Sequence, residues 1–192
     1  MIAGSGRNGS GQLQGTGNTV RVSSTASGQG VLLFQGNLVG LAPDGVTPLP
    51  FRDPLTISSS DDAFVTPDIR VLDNRFVRPA LTAGGNFGNA LQFSVSRVMD
   101  HTALIQGNVF GLGVDGSPIG VEQDAISISV GNSTRFPRIR IGGLLTHEGN
   151  TFSSSFDLPG GGRGNAISWG FTPNDSRVEV VGNRLIVDKL PS

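Results

Sequence analysis

Gln35-Gly36-Asn37-Leu38-Val39-Gly40-Leu41-Ala42-Pro43-Asp44-Gly45 returns 71 positions later as Gln106-Gly107-Asn108-Val109-Phe110-Gly111-Leu112-Gly113-Val114-Asp115-Gly116. The recurrence of Gln-Gly-Asn, Gly-Leu and Asp-Gly in one order reads as a duplicated β-rich unit. Apolar strands flank Gly36-Asn37 and Gly107-Asn108: Val31-Leu32-Leu33-Phe34 before the first and Ala103-Leu104-Ile105 before the second. A third case, Val178-Glu179-Val180-Val181, precedes Gly182-Asn183. Glycine and asparagine tolerate the positive φ of primed two-residue turns, so each pair predicts a β-hairpin. Replacing Gly107 by valine should then cost about 1 to 3 kcal/mol of local strain.

A second set of Gly-Asn pairs, Gly17-Asn18, Gly88-Asn89 and Gly164-Asn165, opens three alternating apolar runs. These are Val20 and Val22; Leu91, Phe93 and Val95; and Ile167, Trp169 and Phe171. Period-two alternation marks strands with one face buried. A hairpin module therefore occurs three times, separated by two connecting modules in which Asp53, Ile57 and Ser58 answer to Asp124, Ile128 and Ser129. Ile69-Arg70 answers to Ile139-Arg140, and Asn74 and Phe76 to Asn150 and Phe152, the changed offset placing an insertion of about five residues near Gly142 to Gly149. Insertions of that kind belong in loops.

The expected fold is all-β with almost no helix: two tandem repeated β-sandwich or barrel-like units with Gly-Asn hairpins. Residues 1–17 form a flexible glycine-rich N-terminal arm, 18–40 an extra hairpin module, 41–111 the first repeat and 112–192 the second. The unpaired half-unit has a sheet edge to satisfy, either within the chain or on a neighbouring molecule.

Composition narrows the function classes. Glycine (29) and proline (11) make up about a fifth of 192 residues, above ordinary usage and short of general disorder. A net charge of −1 supplies no field to draw in nucleic acid or an anionic membrane. Lys189 is the one lysine among 14 basic residues, and guanidinium groups suit fixed interfacial ion pairs, although coding bias explains the same preference. Without cysteine there is no disulfide framework or thiolate metal site, so stability must come from packing or association. The stretch Met1-Ile2-Ala3-Gly4-Ser5-Gly6-Arg7 lacks the apolar core of a secretory signal, which leads us to expect a protein made in the cytosol in soluble form.

The candidate sites each have a simpler structural explanation. Gly160-Gly161-Gly162-Arg163-Gly164-Asn165 lacks the lysine and hydroxyl of a phosphate loop and the helix of a dinucleotide loop. Asp44 and Asp115 precede Asp53 and Asp124 by nine residues, and Asp61-Asp62 could add oxygens for calcium, but Asp-Gly is also an ordinary turn. His101 beside Asp100 and His147 beside Glu148 lack a nucleophile on a strained turn. Trp169 stands where Phe93 stands in the previous unit, on the inward register, and reads as core. Arg138 and Arg140 share one face of a strand with Arg135 close by, and Arg70, Arg75 and Arg78 echo them; they suit a solvated face or a subunit contact. Asn8, Asn132 and Asn174 each begin a chance-level glycosylation pattern.

No catalytic, cofactor-binding or metal residue is assigned, and no enzyme activity is expected. The general character, carried by the absent cysteine, the glycine-rich start and the β repeats, is similar to small virion proteins of tailed bacteriophages, such as head decoration (cement) proteins and neck or tail components. The similarity implies a structural protein in the virion, with itself (a homo-oligomer such as a trimer) and a capsid shell as partners, and no nucleic acid or membrane. The rival expectation is an extracellular or cell-surface glycan-binding adhesin module. A β-fold hydrolase using His101 or His147 is a third.

Overall fold

The computed structural model describes residues 19–22, 31–49, 55–59, 68–78, 89–95, 102–121, 123–130, 138–153, 165–171 and 177–186. They form fifteen strands in three five-stranded sheets. The first sheet runs β1 (Thr19–Val22), β4 (Leu55–Ser59), β7 (Leu91–Val95), β10 (Ile126–Val130), β13 (Ile167–Phe171). The second holds β2 (Val31–Gln35), β5 (Asp68–Leu72), β8 (Thr102–Gln106), β11 (Arg138–Gly142) and β14 (Arg177–Val181). The third holds β3 (Leu38–Val39), β6 (Arg75–Phe76), β9 (Val109–Phe110), β12 (Thr151–Ser153) and β15 (Arg184–Ile186).

Every strand pairing within these sheets is parallel and in register. The chain therefore winds through the first, second and third faces in turn and repeats, giving five coils of a parallel β-solenoid. Each coil rests on its neighbours, the nearest-neighbour economy of such architectures. Among the described residues there is no helix.

All-β is the part of the expected fold that the structure shows; the hairpins and sandwich are corrected. Gly36-Asn37 does not reverse the chain onto itself. It joins β2 to β3, which belong to different sheets and pair with other coils. Gly107-Asn108 and Gly182-Asn183 do the same between β8 and β9 and between β14 and β15. Positive φ is present at Gly36 (67°), Gly107 (65°) and Gly182 (65°), but it turns a corner. The strand after each corner has two or three residues, too short to pair along the five-residue strand before it. The glycine-rich arm, 1–17, lies outside the described residues.

Inward rows on all three faces build the core. On the first face, Ile57, Phe93 and Ile128 stand in register and are buried. On the second, Val71, Ile105 and Ile141 do the same. On the third, the rings of Phe76, Phe110 and Phe152 stack at 4.9 and 5.0 Å with their planes nearly parallel. Those separations equal the spacing of adjacent strands, so identical side chains in register can stack face to face along the axis. Phe34 extends the stack from the second face at 6.4 Å from Phe76.

Candidate functional site

Two polar rows fix the corners and run in opposite senses. At the corner between the second and third faces stand Asn37, Asn74, Asn108, Asn150 and Asn183, at intervals of 37, 34, 42 and 33 residues. The 71-residue recurrence thus spans two coils. The backbone N–H and Nδ2 of each of the first four donate to the Oδ1 of the asparagine one coil later, at 2.9 to 3.0 Å. From Asn74 onward, each Nδ2 also donates to a carbonyl one coil earlier: Phe34, Val71, Ile105 and Ile141. Asn74, Asn108 and Asn150 are buried, so the ladder satisfies amides that would otherwise carry a full desolvation cost.

The residue before four of the five rungs takes a left-handed backbone, the exception being Gly149 before Asn150. Asp73 (φ 54°) fills in the second coil the place that glycine fills in the first, third and fifth, and is the one non-glycine with positive φ among the described residues. In the fourth coil the corner is enlarged to residues 143–150, where the sequence places an insertion. Its tip exposes Leu144 and Leu145.

The second row lies at the corner before the first face, and there the later residue donates. Asp124 N–H donates to Asn89 Oδ1 at 3.3 Å. Asn165 donates to Asp124 Oδ1 from its backbone N–H (2.9 Å) and its Nδ2 (3.0 Å). The other carboxylate oxygen of Asp124 accepts from Ser168 Oγ at 2.6 Å. Asp124 is therefore a structural rung equivalent to Asn89 and Asn165, and its carboxylate is occupied by protein donors.

The other acidic candidates are likewise engaged. Asp44 caps its own loop, accepting from the backbone N–H groups of Val46 and Thr47 and from Thr47 Oγ. Asp115 does so with Ser117 N–H and Oγ. The Thr47 and Ser117 hydroxyls, followed by the backbone donors, hold the two carboxyls below their ordinary range. The two loops touch through Val114 N–H donating to Gly45 O at 2.9 Å. Among the described residues no three His, Cys, Asp or Glu side chains gather as a metal site. Asp53, Asp61, Asp62, Asp100, His101, Arg135 and residues 160–164 lie outside the described residues. His147 is exposed on the enlarged corner.

The arginine echo resolves into three different environments. Arg70 is exposed on the second face beside Asp68 at 2.7 Å. Arg75 donates through one nitrogen to the Leu112 and Gly113 carbonyls, and burial lowers its pKa against the opposing pull of Asp115. Arg78 is buried and donates to Asn89 O at 3.0 Å. Arg138 and Arg140 do share the outer side of β11, as alternation requires. With Thr102, Leu104 and Glu179 they line a shallow groove of about 350 Å³ on the second face, in which Arg140 pairs with Glu179 at 2.9 Å.

The surface that departs most from its surroundings is the end of the last coil. Trp169 occupies the inward row of Ile57, Phe93 and Ile128, yet it is 55% exposed. Leu185 continues the phenylalanine row at 55%, and Val180 continues the Ile105 and Ile141 row at 45%. At the other end the inward residues Phe34 and Val39 are covered, at 9% and 1%. The inward register of Trp169 was legible from alternation, but its reading as core fails because no coil follows it among the described residues.

No known protein family, curated protein or solved structure matches the chain significantly.

Proposed function

We propose that the protein is a non-enzymatic structural component of a larger assembly, a stiff β-solenoid that docks through the exposed apolar rows of its fifth coil. The observation that carries this reading is the exposure of Trp169, Val180 and Leu185 on rows that are buried in the preceding coils. Apolar surface gathered at one end of a protein, with parallel strand edges around it, favours association. A bacteriophage shell, neck or tail is one such assembly, a setting drawn from the cysteine-free, glycine-rich composition.

The experiment is to express the chain in its native cells and fractionate the extract by mass, comparing wild type with the double variant Trp169→Glu and Leu185→Arg. Wild type should run in a high-mass fraction and the variant at the monomer position, with the same far-UV circular dichroism. Equal migration of the two overturns the reading. The rival, a glycan-binding module, rests on the groove lined by Thr102, Leu104, Arg138, Arg140 and Glu179. It gains if glycan-array retention is lost in Arg138→Ala with Arg140→Ala while mass is unchanged.

A further inference from the structure

The outer side of the second face carries three polar groups that the fold leaves without a protein partner. Alternation turns Thr102 and Leu104 of β8, and Arg138 and Arg140 of β11, outward from the buried Ala103, Ile105, Ile139 and Ile141. The strands are in register, so Thr102 stands beside Arg138, and Leu104, Arg140 and Glu179 form the next row. Arg140 Nε and Nη2 lie 3.0 and 2.9 Å from Glu179 Oε2. Among the described residues nothing donates to Glu179 Oε1, no carboxylate pairs with Arg138, and the Thr102 hydroxyl makes no hydrogen bond. Arg70, on the same face, differs, because its Nε and Nη2 close on Asp68 within one strand.

A cation, a hydroxyl and a spare carboxylate oxygen thus open onto the groove of about 350 Å³, with the half-buried Leu104 on its floor. That volume lies at the low end of small-molecule sites, in which a few convergent polar groups orient the ligand. Arg177 holds the register position next to Arg138 on β14, so two arginine positions adjoin on one side of the groove and favour a negative charge there.

We infer that this groove binds an acidic saccharide, with one anionic group on Arg138 and sugar hydroxyls on Thr102 and Glu179. The guanidinium fork of Arg138 matches a carboxylate or a sulfate. The Arg140-paired carboxylate of Glu179 only accepts, so its Oε1 needs an O–H or N–H from the ligand, while the Thr102 hydroxyl serves either way. That need for a donor decides between ligand classes. A nucleic-acid phosphodiester has no donor to give, and no aromatic ring lines the groove to stack a base. An acidic peptide would set further carboxylates against Glu179. A sugar with a single anionic group brings one charge and several hydroxyls. The inference names the ligand class for the glycan-binding reading of this groove and rests on that reading. It is independent of docking through Trp169, Val180 and Leu185, which stand on inward rows. The groove is shallow and its contacts few, so affinity in roughly the millimolar range is expected.

The test follows amide resonances of the purified chain during titration with trisaccharides that are alike except that one carries a single carboxylate, one a single sulfate and one neither. An acidic sugar should move the amides of Thr102 to Leu104 and Arg138 to Arg140 and bind at least tenfold more tightly than the neutral one; the tighter of the two acidic sugars assigns the anion. Arg138→Gln should weaken that sugar at least tenfold and Thr102→Val at least threefold. Arg70→Gln, on the same face but outside the groove lining, should change it less than twofold. All three side chains are exposed, so these variants keep the coils intact. Equal affinity for the neutral sugar overturns the acidic class and leaves the glycan-binding reading standing. No shift from any sugar up to about 10 mM overturns both and leaves docking untouched. Equal weakening by Arg70→Gln and Arg138→Gln, or the same shifts at the same affinity with acetate or inorganic sulfate alone, would show general attraction of anions and overturn the inference.

Discussion

Phe110 and Leu185 stand in one row on the third face, two coils apart, and the first is fully buried while the second is 55% exposed. Asn108 and Asn183 are rungs of the same ladder two coils apart, one at 0% exposure with both neighbours present and the other with a neighbour on one side only among the described residues. Both pairs occupy equivalent inward positions, and the second pair is the same residue type, so the difference in exposure follows the stacking. In a solenoid, a coil contributes its stability through the coil on each side of it. An interior coil has two such contacts and a terminal coil one.

The comparison can be broken by substitution at paired positions. Phe110→Ala should destabilise by about 4 kcal/mol, since a large cavity opens between two stacked rings, while Leu185→Ala should cost under about 1 kcal/mol in the monomer because its side chain already meets water. Urea unfolding midpoints of the two variants would measure the gap. Equal losses would mean that the last coil is covered in solution.

The ladder should show a smaller gap of the same sign. Asn108→Ala removes the acceptor of two Asn74 donors and the donor to Val71 O, leaving buried polar groups at a cost of about 3 kcal/mol. Asn183→Ala strips the Oδ1 acceptor from Asn150 at a half-exposed site where water can substitute, and about 1 kcal/mol is expected. Native-state hydrogen exchange would check this by locating the fastest opening in β13 to β15.

The smallest effect concerns the Asp-Gly loops. Their carboxyls are held below the ordinary value by the Thr47 and Ser117 hydroxyls. A lowered folded-state pKa means that the loops' contribution is complete above the ordinary carboxylate pKa and fades as pH falls through the lowered one. Amide resonances of Thr47 and Ser117 should therefore shift together only once the pH falls below the ordinary carboxylate pKa, with the interior ladder unaffected. Shifts of the Asn74 and Asn108 amides over the same range would tie the loops to the core.

Much of each strand could be read in advance. Alternation placed Leu91 and Phe93, and Ile167 and Trp169, on inward rows, and the glycines at 36, 107 and 182 were assigned the positive φ they have. The period was hidden by two substitutions that preserve a rung while changing its letters. Asp73 replaces the glycine before Asn74, and Asp124 replaces asparagine between Asn89 and Asn165. The recurring signal was Asn, any residue, then an apolar one: Asn37 with Val39, Asn74 with Phe76, Asn108 with Phe110, Asn150 with Phe152, and Asn183 with Leu185. Read as one series, those five pairs have the period of a coil.

By itself, the amino-acid order determined which residues extend, which side of each strand is apolar, and where the backbone must turn through positive φ. Those choices rest on contacts within a few residues. Whether a Gly-Asn turn reverses the chain or rounds a corner depends on what its amide meets, and the partner lies 33 to 42 residues away on the next coil. Only the stacked structure could make that choice, and only it could leave Trp169 on an inward row with nothing above it among the described residues.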